Sequence, residues 1–134
     1  MTNENGGLVK PVDMKYVPKS WGWELWICNN EKYCGKKIFI KQDHYVSYHK
    51  HGVKSEHLFV ESGSIMMHHD LEGCVVAVEM LIGDAFEVKP GVNHQMYAKF
   101  DTVLFEFSTQ HFDEDSFRTT RDLVIPQKVI NREK

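Results

Sequence analysis

The chain has 134 residues, 42% hydrophobic and 26% charged, which is the composition of one soluble globular domain. Sixteen Lys and Arg against nineteen Asp and Glu leave a net charge of -3 with the two signs interspersed, which argues against a nucleic-acid partner. No apolar run reaches the roughly 18 residues that span a bilayer, and the opening MTNENGGLVK has no hydrophobic stretch suited to a signal peptide, so a cytoplasmic protein without a membrane partner is expected.

Residues 1–15, polar and interrupted by Pro11, read as a flexible arm, and the folded body is expected over residues 16–122. Strands are predicted at 22–27, 36–40, 44–51, 56–61, 64–69, 75–81, 85–88, 95–99 and 103–108, each rich in β-branched or aromatic residues. Asn29-Asn30, Gly52, Ser62-Gly63, Glu72-Gly73, Gly83-Asp84 and Pro90-Gly91 punctuate them as turns. By parity Trp21 and Trp23 share one face, suited to closing a barrel end or packing a subunit interface. Residues 113–121 have a weakly helical or irregular character with Asp113 as a cap, and 123–134 form a last edge strand or a tail. Many short strands with tight turns make an all-β sandwich or small barrel. Cys28, Cys34 and Cys74 are odd in number and lack CxxC spacing, so they fit neither a disulfide framework nor a zinc knuckle.

The chemistry concentrates between Tyr48 and His57. Residues two apart on a strand share a face, so His49 and His51 project together while Lys50 points away. A turn through 52–55 returns the chain as a neighbouring strand and brings Glu56 back towards the pair. After the Pro90-Gly91 turn, His94 opens another strand and offers a fourth ligand. Imidazole nitrogens with one carboxylate suit Zn, Mn, Fe, Ni or Co without choosing among them. A strand histidine is by default a surface or core residue, and that reading is kept for His44, His57, His68, His69 and His111; the adjacent His68 and His69 cannot both point inward.

His49-x-His51-x4-Glu56-x6-Gly63 resembles the first motif of the cupin superfamily, and Gly83-x6-Pro90-Gly91-x2-His94 resembles the second. The resemblance implies a small single-domain β-barrel of jelly-roll type, a double-stranded β-helix, in which His49, His51, Glu56 and His94 hold one divalent metal. Pro90-Gly91 and Ala98 stand where that second motif usually has Pro-x-Gly and an Asn. Over residues 17–122 the chain is most similar to the cupin domain of type II mannose-6-phosphate isomerases, on Lys19-Ser20-Trp21-Gly22-Trp23-Glu24, Ser47, Lys54-Ser55-Glu56-His57-Leu58, Ser62-Gly63, and Asp113-Glu114-Asp115-Ser116-Phe117-Arg118 with Asp122. It departs from them at Ser20 for Pro, Lys54 for Arg, Leu58 for Trp, and four residues rather than two between His51 and Glu56.

That likeness implies aldose-ketose isomerisation of a sugar phosphate through an enediol, with the metal as Lewis acid and Glu106 or His57 as the base. Arg118 matches the family arginine for phosphate, and Lys36, Lys54 and Lys89 are further candidates. Two other readings stay open: an Fe- or Mn-dependent cupin dioxygenase, and a barrel that binds a carbohydrate or small metabolite without turnover. Exposed strand edges and the aromatic N-terminal strand predict a homodimer.

Overall fold

The computed structural model describes residues 5–132; residues 1–4 of the predicted arm and 133–134 of the predicted tail lie outside that range. The strands in chain order are β1 (Lys15–Lys19), β2 (Gly22–Asn29), β3 (Cys34–Ile40), β4 (Tyr48–His51), β5 (Glu56–Ser62), β6 (Ile65–Leu71), β7 (Cys74–Met80), β8 (Ala85–Val88), β9 (His94–Ala98), β10 (Thr102–Ser108), β11 (Ser116–Thr120) and β12 (Lys128–Val129). They make two six-stranded sheets, ordered β1-β2-β3-β10-β5-β8 and β11-β4-β9-β6-β7-β12. Neighbours run antiparallel except β12, which lies parallel to β7. No helix among the described residues is long and apolar enough to cross a membrane.

Alternation along the inner strands builds the interior and divides it into two halves. On β3, Lys36, Ile38 and Ile40 point inward; on β10, Thr102, Leu104 and Glu106; on β5, Glu56, Leu58 and Val60. The register sets Glu106 beside Lys36 and Leu104 beside Ile38, so the charged residues gather at one end of the sheet and the aliphatic ones at the other. The second sheet repeats the division: His94 precedes Met96 and Ala98 on β9, and Ile65 and Met67 face them from β6. One half of the barrel is therefore a packed aliphatic plug, and the other is a chamber walled by titratable groups. Burying each plug side chain contributes roughly 1.5–3 kcal/mol, which supports the buried charges opposite.

Two glycines allow close approaches that this frame needs. A Cβ on Gly22 would lie 1.9 Å from the Phe39 carbonyl oxygen, where β2 starts against β3. Gly63 turns the chain between β5 and β6 at φ +88°, and a Cβ there would meet Asp101 O and Thr102 Oγ1 at 2.4 Å.

The structure departs from the sequence expectations in four places. β1 forms at Lys15–Lys19 as the edge partner of β2, in a stretch predicted to lead into the body without a strand of its own. The strand predicted at 44–51 is regular only from Tyr48, because a turn with Asp43 at φ 63° precedes it and Tyr45 makes an isolated bridge to Tyr97. Residues 113–121 are a single 3-10 turn at Asp113–Asp115 followed by β11, whose Phe117, Thr119 and Thr120 suit a strand laid on β4. Trp21 and Trp23 part company: Trp21 lies in the turn before β2 and packs against the core, while Trp23 stacks on Phe39 at 5.7 Å on the outer face.

His68 and His69 do point opposite ways, yet both are buried. His69 faces inward against Phe86, and His68 bonds Gln95 on the outer face, where the segment after Arg121 covers them. Gln95 anchors that segment by donating to Asp122 O and accepting from Val124 N–H.

Candidate metal centre and substrate cavity

The chamber is a cavity of about 600 Å³, within the range of small-molecule sites. At its floor β4 and β9 pair through His49 and His94, and His51 lies two residues along on the same face. The ring centroids are 4.5 Å apart for His49 and His94 and 5.1 Å for His49 and His51. One nitrogen from each of the three rings lies within 4.8 Å of the others.

Which nitrogen faces inward follows from the carbonyls behind the rings. Nδ1–H of His49 donates to Ser47 O at 2.8 Å, that of His51 to Asp115 O at 3.2 Å, and that of His94 to Val92 O at 3.0 Å. A carbonyl only accepts, so each ring carries its proton on Nδ1 and turns the Nε2 lone pair into the chamber. Burial pushes the His51 and His94 pKa values down to about 3 and lowers that of His49, which keeps all three neutral at pH 7.

Glu56 supplies the carboxylate. Its oxygens lie 3.8 Å from Nε2 of His51 and of His94, and Oε2 is buried without a hydrogen-bond donor. Burial, and then the nearby Glu106, pushes Glu56 above the usual carboxylate range. Three lone pairs and a carboxylate oxygen that accepts no hydrogen bond thus converge on one space. Such an all-acceptor set is satisfied by a cation, so these residues can hold a divalent metal.

The charged wall is a connected network. Lys54 Nζ donates to Glu106 Oε2 at 2.9 Å and to His111 Nδ1 at 3.0 Å, and it lies 3.5 Å from Glu56 Oε2. His111 Nε2–H in turn donates to Asp113 at 3.0 Å, and its ring sits edge-on to Trp26. Lys36 Nζ is 3.5 Å from Glu24 and 4.1 Å from the Trp26 ring centroid. For Glu106, burial alone would raise the pKa, but Lys54 and Lys36 outweigh it and hold the carboxyl well below the usual range. Glu106 Oε2 also accepts from Ser108, and Oε1 accepts no hydrogen bond among the described residues.

The structure brings His49, His51, Glu56, His94, Glu106, Lys36, Lys54 and Arg118 to this one cavity. It places His57 and Lys89 elsewhere. His57 is exposed on the outer face of β5, because its neighbour Glu56 points inward, and Lys89 is exposed beside the Pro90-Gly91 turn. Lys36 and Lys54 are each 2% exposed and engaged by protein carboxylates, so they shape the chamber's field instead of offering free cations. Lining residues that the sequence did not assign to the site include Glu24, Trp26, Arg121 and His111. The inward parity of Glu24 and Trp26 on β2 was a usable signal. His111 carried none, because it lies beyond the last predicted strand.

No known family's sequence profile matches the chain, and no curated protein matches it. Many solved structures do share its fold. The capsular polysaccharide assembling protein CapF from Staphylococcus aureus superposes with a TM-score of 0.71 at 14% identity, over 78% of this chain and 32% of that one. Oxalate decarboxylase from Bacillus subtilis gives 0.73 at 15% identity, over 85% and 33%. The Lactobacillus farciminis oxalate decarboxylase formate complex gives 0.70 at 18% identity, over 85% and 38%. The chain thus spans about a third of the length of each of these cupin-fold proteins, and its own fold is the jelly-roll barrel of the cupins.

Proposed function

We propose that the chain is a metal-dependent isomerase that interconverts the aldose and ketose forms of a sugar phosphate, as the mannose-6-phosphate isomerases it resembles do. One divalent ion, drawn from Zn, Mn, Fe, Ni and Co, would be held by His49, His51, His94 and Glu56, and would supply Lewis-acid polarisation of the open-chain sugar. Glu106 takes the proton from C2 and returns it to C1 across an enediol, while the hydroxyl proton passes from O2 to O1. Arg118 and Arg121 bind the phosphate, each able to offer a planar fork of donors.

The observation that carries this reading is one cavity that joins three elements. These are the metal-ligand set, an ionised carboxylate with an unbonded oxygen, and two arginines whose guanidinium groups make no hydrogen bond or ion pair with a described residue. The test is turnover of mannose 6-phosphate and other aldose phosphates by protein reconstituted with each metal. Glu106→Gln is expected to lower kcat by about 10²–10⁴-fold while the metal-to-protein ratio stays unchanged. Oxygen consumption with Fe(II) in place of isomerisation would overturn the reading in favour of a dioxygenase. Ligand-dependent thermal shifts without turnover would leave a binding barrel.

We further propose that the protein works as a homodimer joined through the outer face of the β1-containing sheet, in the reducing cytoplasm that its three free thiols suit. That face carries the Tyr16, Trp23 and Phe39 stack and the Phe105–Phe107 pair, with Tyr16 and Phe107 each 58% exposed. Light scattering at micromolar concentration is expected to give twice the 15.6 kDa chain mass, and Phe107→Lys to return it to the single-chain value. A wild-type mass of one chain would refute the dimer.

A further inference from the structure

The metal ligands His51 and Glu56 are joined by a four-residue turn with no regular structure of its own. Its first three backbone N–H groups point at a residue more than sixty positions away. Asp115 Oδ1 accepts from Gly52 N–H at 3.0 Å and Val53 N–H at 3.1 Å, and Oδ2 accepts from Val53 at 3.2 Å and Lys54 at 3.0 Å. Three successive amides thus cradle one carboxylate, an anion-binding nest filled from within the protein. The backbone carbonyl of the same residue accepts the Nδ1–H of His51. Asp115 therefore grips this ligand loop twice, once at the ring of the first ligand and once at the amides that lead to the second.

We propose that Asp115 is a positioning residue of the metal centre: its backbone carbonyl fixes the His51 tautomer, and its carboxylate fixes the path from His51 to Glu56, so metal affinity depends on a carboxylate that never touches the metal. The inference rests on the metal reading above. The brace comes from the acidic turn Asp113–Asp115, which the proposed chemistry leaves without a task. Asparagine is a poor replacement, because its amide keeps one acceptor and turns a donor towards amides that already donate. Outer-shell partners of metal ligands are typically worth 10–100-fold in affinity.

The experiment titrates Co²⁺ alone into the metal-free chain of 134 residues. Its readouts are the dissociation constant and the visible spectrum for wild type, Asp115→Asn and Asp84→Asn. Asp84 is the control, since its carboxylate accepts the Leu81 N–H at a different turn. Asp115→Asn is expected to weaken Co²⁺ by 10–100-fold and alter the spectrum, with Asp84→Asn within twofold of wild type. Equal affinity in wild type and Asp115→Asn, even with a lowered melting temperature, would overturn the proposal and leave the metal site standing. Failure of the wild type to bind Co²⁺ would overturn both.

A second measurement uses the wild type only, should Asp115→Asn fail to fold. By reciprocity of coupled equilibria, Co²⁺ loading is expected to slow amide exchange at Gly52, Val53 and Lys54 by about tenfold or more. Unchanged exchange at those three amides would overturn the role of Asp115.

Discussion

Replacing His94 with alanine is expected to lower divalent-metal affinity by at least about 100-fold, beyond the range of outer-shell changes, and His51→Ala is expected to do the same. Each substitution removes an inward Nε2 lone pair whose orientation is set by a carbonyl behind the ring. His69→Ala is the discriminating control. His69 pairs in register with His94 on the adjacent strand and faces the same interior, yet its ring packs on Phe86 at 4.9 Å and its Nδ1 sits 3.3 Å from Asp70 O. That variant is expected to keep its metal. Elemental analysis of the three variants, purified without chelators, reads the metal-to-protein ratio directly. Equal loss in all three, or retention by His94→Ala, would sink the proposed ligand set.

What the sequence revealed of this site depended on parity. Period-two alternation set His49 and His51 on one face, and the turn through Gly52 returned Glu56 towards them; the two distances of 3.8 Å from Glu56 agree with that geometry. The base offered at His57 did not follow that alternation, since a residue next to an inward glutamate on a strand points out, and His57 is exposed on the outer face of β5. Parity says nothing about partners brought in from far along the chain. Lys54 meets Glu106, 52 residues on, and Asp115 meets Gly52, 63 residues on, because β10 lies between β3 and β5 and β11 lies on β4. Strand order is set by packing of whole sheets, so a local pattern cannot supply these neighbours. The sequence could therefore offer Lys54 as a free cation for substrate, and only the fold assigns it to two buried carboxylates. Trp21 shows the converse limit: parity fails as soon as a turn replaces the strand on which it was counted.

Lys54→Met is expected to cost the metal-free protein about 3–5 kcal/mol, the usual result of removing one partner from a buried ion pair. Methionine preserves most of the apolar stem, so the loss reports charge and not volume. Burial by itself would lower the Lys54 pKa, but Glu106 and Glu56 overrule it and raise it above the ordinary lysine value. Without that cation, Glu56 and Glu106 remain buried together with Lys36 as the remaining buried ammonium among the described residues. Glu56 already lies above the usual carboxylate range in the intact protein, so it is Glu106, held low by Lys54 and Lys36, whose folded-state pKa rises when Lys54 is removed. A group shifted in that direction binds its proton more tightly when folded, so the deficit is expected to shrink as pH falls from about 7 to about 5. Adding Glu106→Gln to Lys54→Met removes the stranded charge and is expected to recover part of the loss. A divalent ion is expected to stabilise Lys54→Met more than wild type, because Glu56 in the variant has no ammonium at 3.5 Å to share its charge. Urea unfolding with and without Zn²⁺, at both pH values, measures all three effects. Stability of the metal-free single variant within about 1 kcal/mol of wild type would show that Lys54 is not what allows the two carboxylates to share this chamber.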